Sequence, residues 1–170
     1  MWQDYFRLVL FTGMRREETA SLRWENIDMK AKVFTAIDTK NGDFHTLPMT
    51  DFIETLFLRR LEARHKDNDF VFPAESSAGY IKEPRKAMQK ITQVSGVTFT
   101  MHDLRRTFTT TAESLDISAY ALKRLLNHKM NSDVTAGYII TDVERLRKPM
   151  QQITDYILSK CLNADMSQGN

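Results

Sequence analysis

One change of residue period most limits the folds open to this chain. Residues 33–38 and 44–49 alternate like short strands, and they are joined through Thr39-Lys40-Asn41-Gly42-Asp43, where Asn-Gly supplies the positive φ that a tight hairpin needs. Lys40 therefore sits near a β-turn. On either side of this hairpin the apolar residues fall at helical spacing. A chain of 170 residues with 42% hydrophobic content can bury one ordinary core, so a single domain over residues 1–162 is expected, followed by a polar tail, 163–170, expected to be disordered.

Upstream of the hairpin, Phe6, Leu8, Val9, Leu10 and Phe11 form an apolar segment that ends at Thr12-Gly13, a pair suited to a helix end. A helix then starts at Arg15, with Glu18 and Leu22 on the same face, so Arg15 points inward and Arg16 outward. Downstream, Ile53, Leu56, Phe57 and Leu61 give a helix over 52–65. Phe70-Val71-Phe72-Pro73 reads as a third short strand or extended segment, and a helix over 83–94 follows a loop.

Thr100 is a suitable N-cap for a helix over 101–115, whose core stripe is Leu104, Phe108, Ala112 and Leu115. His102 and Arg105, three residues apart, lie at the edge of that stripe, with Arg106 turned toward solvent. A short helix carries Tyr120, Leu122, Leu125 and Leu126, a polar segment leads to Tyr138, and a last helix over 142–160 contains Pro149, where a bend is expected. The apolar stripe of this helix, with Met150, Ile153 and Ile157, either docks in cis or exchanges between protomers.

The formal net charge is +2, which gives only mild support for a polyanionic partner. Cys161 is the one cysteine, which excludes an intrachain disulfide framework and a Cys-cluster zinc site and suits a reducing cytosol. No apolar run reaches about 18 residues and no signal-peptide pattern opens the chain, so a cytoplasmic protein is expected. There is no internal repeat and no clear recognition helix, which leaves helical-repeat and helix-turn-helix readings without support.

Breaking a phosphodiester without a metal requires a nucleophile, cationic donors for the non-bridging oxygens, and a proton source for the leaving oxygen. The strings TGMRREE, HDLRRTF and LLNHKMNSDVTAGYI, with Lys40 between the first two, contain a candidate for each. Two guanidiniums suit a phosphate clamp because each offers a rigid fork of donors and stays charged. Singly, each of these residues has an ordinary explanation: a salt-bridged arginine, a solvated hairpin lysine, a capping histidine. As an ordered set they resemble the catalytic domain of the tyrosine recombinases, also called phage integrases, over residues 5–157.

That resemblance implies a mainly helical α+β domain with a small antiparallel β-sheet. It also implies a catalytic set of Arg15, Lys40, His102, Arg105, His128 and Tyr138. Arg15 and Arg105 would hold the phosphate, Tyr138 would attack it, Lys40 would protonate the leaving 5′-oxygen, His102 would assist proton transfer, and His128 would hydrogen-bond the phosphate. Tyr5, Tyr80, Tyr120 and Tyr156 are read as packing residues. Glu18 would orient Arg15, and Asp103 would support the start of its helix.

Arg16, Arg106 and Lys129 are candidate DNA contacts. Neither a cofactor nor a metal is implied, and the carboxylates Glu17, Glu18 and Asp28 make no convincing metal cluster for a rival nuclease. The expected partner is double-stranded DNA, with self-assembly on it as a dimer or tetramer. The family's separate N-terminal DNA-binding domain is expected to be absent from this chain. The non-enzymatic alternative is a catalytically silent DNA-binding module of a recombination complex. Two departures from the family pattern stand out: Asn127 precedes His128 where glycine is usual, and the His128 to Tyr138 interval is one residue longer than the commonest spacing.

Overall fold

The computed structural model describes residues 1–37, 44–64, 68–128 and 143–167, with side chains as far as Cys161. Among these residues the helices are α1 (Trp2–Thr12), α2 (Arg16–Ala20), α3 (Asp51–Glu62), α4 (Arg85–Ser95), α5 (Met101–Ser114), α6 (Ala119–Leu125) and α7 (Val143–Ser167). The strands are β1 (Ile27–Asp28), β2 (Val33–Ala36) and β3 (His45–Pro48), paired antiparallel in the order β1-β2-β3. The fold is the expected mainly helical α+β domain.

Helix α1 is the centre of the packing. Its Tyr5, Leu8, Val9, Phe11 and Thr12 are buried, and it lies against α2, α3, α5 and α7. The helix stops at Gly13, which adopts φ 65° and donates its N–H to the Val9 carbonyl, the left-handed cap that glycine takes without steric cost. A second constraint acts on the same residue. A Cβ there would lie 2.6 Å from Phe108 Cδ1 and 2.9 Å from Leu126 Cδ2, so Gly13 is also where α5 and the end of α6 approach α1.

The sheet covers the core from one side through alternate residues. In register, Phe34 faces Leu47 and Ala36 faces His45, and these four side chains are buried while Thr35 and Thr46 are only partly so. Strand β1 has only two residues and was not foreseen. The Phe70–Pro73 segment does not join the sheet; it is extended, held by single bridges from Phe70 to Arg23 and from Pro73 to Tyr80.

Helix α2 is also shorter than expected. Leu22 lies beyond its end, buried, with its carbonyl accepting from the Val71 N–H at 2.9 Å. Helix α7 passes through Pro149 and beyond Lys160, the end given by its periodicity. Its Leu146, Met150, Ile153 and Ile157 are buried within the chain, packed with the α5, α6 and β3 residues of one continuous core. The stripe is therefore docked in cis. Among the described residues no helix is long and apolar enough to cross a membrane.

Candidate active site

Arg15 is the N-cap of α2 and lies outside the helix itself, in extended conformation. Its partner is Glu18, 2% exposed, whose carboxylate does two things at once. One oxygen accepts from the Arg15 backbone N–H at 3.1 Å, closing the free end of α2, and the other accepts from Arg15 Nη1 at 2.9 Å. The guanidinium is thus fixed in direction while about a quarter of the side chain remains exposed. Arg16 points outward to a 2.5 Å ion pair with Glu17.

Arg105 rises from α5 into the same region. Nη1 donates to the Gly13 carbonyl, two residues before Arg15, while Nη2 donates to the Leu126 carbonyl at 2.8 Å and to His128 Nε2 at 3.1 Å. One guanidinium thereby ties the end of α1 to the end of α6. Burial, and after it the nearby Arg15 charge, lowers the Arg105 pKa from its ordinary value to about 10, so the group stays charged at neutral pH. Its remaining donors have no protein acceptor among the described residues.

The end of α6 explains how His128 is held. The His128 N–H returns to the Lys123 carbonyl at 3.0 Å and the Asn127 N–H to the Arg124 carbonyl at 3.2 Å, the bond pair that closes a helix through a left-handed residue. Asn127 is that residue, with φ 50°. It takes the conformation that glycine would supply, as asparagine can. Partial burial, then the positive charges of Arg105, Arg15 and Lys123, holds the His128 pKa below its ordinary value. Its Nε2 can accept from Arg105 only while unprotonated, and these charges favour that state.

Other candidates sit less centrally. His102 is exposed on the first turn of α5, and its side chain makes no hydrogen bond among the described residues. Asp103 closes the start of that helix with Thr100: its Oδ2 accepts from the Thr100 N–H at 2.9 Å and from the Thr100 hydroxyl at 2.7 Å, and its N–H donates to Thr100 Oγ1 at 3.1 Å. These bonds hold its carboxyl below the usual range. Arg106 is exposed, 3.5 Å from Asp103. Lys40, Lys129 and Tyr138 lie outside the described residues. Among the described residues no group of three or more His, Cys, Asp or Glu side chains could hold a metal ion.

One residue of this region was missed in the sequence. His45, 5% exposed, points inward from β3 and donates from Nε2 to the Arg124 carbonyl at 3.2 Å. Its Nδ1 is buried and has no hydrogen-bond partner among the described residues. Burial lowers its pKa to about 4, with Glu18 opposing the shift and the charges of Arg105 and Arg15 adding to it. The available signal was its position in the alternation of residues 44–49, two residues before the buried Leu47.

Residues 3–145 match the model of the phage integrase family. The chain is 29% identical over 160 residues to the prophage integrase IntF of Escherichia coli (strain K12), covering 92% of this chain and 34% of that one. It is 30% identical over 123 residues to the tyrosine recombinase XerA of Saccharolobus solfataricus, covering 72% of this chain and 40% of that one. The chain thus spans well under half the length of these relatives.

Among solved structures, the integrase from mycobacterium phage Brujita has the same fold with a TM-score of 0.69 at 17% identity, over 89% of this chain and 51% of that one. The XerH site-specific recombinase bound to difH substrate gives 0.60 at 18% identity, over 95% and 44%. By the family match and the shared fold, the chain belongs to the phage integrase family of tyrosine recombinases.

Proposed function

We propose that this chain carries the strand-cleaving and rejoining centre of a site-specific DNA recombinase. The observation that carries the reading is the junction at Arg105, where one guanidinium joins the Gly13 turn to the Leu126–His128 turn beside the Arg15–Glu18 pair. Two fixed cations and a histidine at one place form a cradle for a single phosphate, with donors oriented before the substrate arrives.

In this reading Tyr138 Oη attacks the phosphorus, the bond to the 5′-oxygen breaks, and a 3′-phosphotyrosyl link forms. Lys40 gives a proton to the departing 5′-oxygen and His102 assists removal of the tyrosine proton. A second 5′-hydroxyl then attacks the phosphotyrosine and frees Tyr138. The phosphoester energy is conserved throughout, so neither ATP nor a metal enters the balance.

Double-stranded DNA is the substrate, and the XerH structure, a complex with its difH substrate, supports that assignment. Arg16, Arg106 and Lys129 would contact backbone phosphates, which makes affinity steeply dependent on salt. Assembly on DNA as a dimer or tetramer completes the reaction, and the cytoplasm is its setting. The test is incubation with nicked duplexes that trap the cleaved state. A denaturant-resistant protein–DNA adduct that forms equally well in chelator is expected. Binding without any adduct would instead identify a silent DNA-binding module.

A further inference from the structure

The sheet reaches the candidate phosphate cradle through one side chain. His45 is buried on β3, opposite the small Ala36, and its Nε2 lies 3.2 Å from the Arg124 carbonyl. A carbonyl can only accept, so Nε2 carries the proton and the neutral ring leaves Nδ1 as a bare acceptor. Among the described residues that Nδ1 has no partner, although an orphaned buried acceptor is disfavoured and an apolar side chain would fill the same space without it. The polar ring is therefore accounted for by what Nε2 does.

The Arg124 carbonyl belongs to the last turn of α6. It accepts from the Asn127 N–H as well as from His45, and it belongs to the bond pair that sets the left-handed Asn127 and aims His128. Two residues on, the Leu126 carbonyl is held by Arg105. His45 from the sheet and Arg105 from α5 thus grip one turn from two sides. The charged groups acting on the His45 ring are Glu18 and Arg15 at α2 and Arg105 on α5.

We propose that His45 is a positioning residue for strand cleavage, which by holding the Arg124 carbonyl fixes the turn that presents His128 and the Leu126 carbonyl to Arg105. The proposal rests on the recombinase reading. The one side-chain hydrogen bond of His45 among the described residues is to the Arg124 carbonyl. His45 acts through the geometry of the Arg105–His128 pair, and a small misplacement of phosphate ligands is enough to slow chemistry severely.

The test compares wild type with His45→Leu, which fills the space without a donor, and His45→Gln, which keeps an N–H donor near the Nε2 position. On a nicked duplex at saturating concentration, His45→Leu should form adduct at least about tenfold more slowly, while its DNA affinity stays within about threefold of wild type. His45→Gln should recover most of the rate. Wild-type cleavage by the leucine variant overturns the proposal, and so does a folded glutamine variant as slow as the leucine one.

Imidazole nitrogen spectra of the wild-type protein need no variant. They must show His45 as the neutral Nε2–H tautomer at pH 7, and a charged or Nδ1–H ring overturns the proposal even if the leucine variant fails to fold. Absence of adduct from wild type would count against the recombinase reading. The His45 proposal would then be decided by these spectra and by the Arg105 guanidinium signals, which loss of the His45 donor must shift.

Discussion

Arg105 and His128 are hydrogen-bonded to each other, Nη2 to Nε2 at 3.1 Å, so the histidine accepts from the very guanidinium with which it is proposed to share a phosphate. Phosphate entry would have to break or bend this bond, because an imidazole nitrogen that accepts from arginine cannot at the same time donate to an anionic oxygen. Arg105, by contrast, keeps its anchors at Gly13 and Leu126 whichever way His128 turns.

Replacing Arg105 with lysine tests that anchoring. A single ammonium cannot span the Gly13 carbonyl, the Leu126 carbonyl and a phosphate, and loss of one preorganised donor to developing charge costs on the order of 100-fold or more in rate. Arg105→Lys should lower adduct formation by that order while the circular-dichroism spectrum stays native. Cleavage at the wild-type rate would remove Arg105 from the phosphate.

His45 gives the protein a defined acid sensitivity. Its folded pKa is about 4 against 6.5 in the unfolded chain, so between these values the unfolded state binds a proton that the folded state refuses. Stability is then intact above pH 6.5 and falls as pH drops from 6.5 toward 4, by on the order of 3 kcal/mol. Denaturant midpoints measured across that window should fall less steeply for His45→Gln than for wild type. Parallel slopes would show that His45 titrates normally.

Gly13→Ala should be among the most damaging single-methyl additions in the chain. The left-handed φ of 65° disfavours alanine by roughly 1–2 kcal/mol, and the added Cβ would stand within 3 Å of both Phe108 and Leu126. Relief of that clash must move α5 or the α6 turn, the two supports of Arg105. Thermal melting should show the loss of stability, and adduct formation should fall further than stability alone explains. An alanine variant with native melting and native cleavage would contradict the packing described at this residue.

The contrast between Asn127 and His45 shows what the sequence discloses. Asn127 is locally legible: it stands where the family has glycine, asparagine tolerates the left-handed region, and φ is 50°. Thr100 capping α5 and the inward Arg15 are legible for the same reason, since each is decided within about four residues. His45 is not, because its burial and its hydrogen bond to Arg124 depend on a contact 79 positions away. The brevity of α2 was missed because Glu18 was read as one face of a longer helix, whereas its carboxylate caps the start of a short one.

The fate of α7 was also open in the sequence, since an apolar stripe does not say which chain covers it. Met150 and Ile153 are fully buried in cis. Met150→Ala should therefore cost about 2–5 kcal/mol, with a denaturation midpoint independent of protein concentration. Removal of residues 149–170 should unfold the domain. A folded, less self-associating truncation would show that the helix belongs to a neighbouring copy.

If this cradle serves a phosphotyrosine reaction at Tyr138, the covalent protein–DNA link must map to that residue. Wild type and Tyr138→Phe would be incubated with a nicked duplex, digested, and the DNA-bearing peptide sequenced. One adduct peptide is expected, linked through Tyr138 to a 3′-phosphate, with no adduct from the phenylalanine variant although it binds the duplex as tightly as wild type. An adduct that persists in Tyr138→Phe, or that maps to Tyr120 or Tyr156, would contradict a reaction at Tyr138.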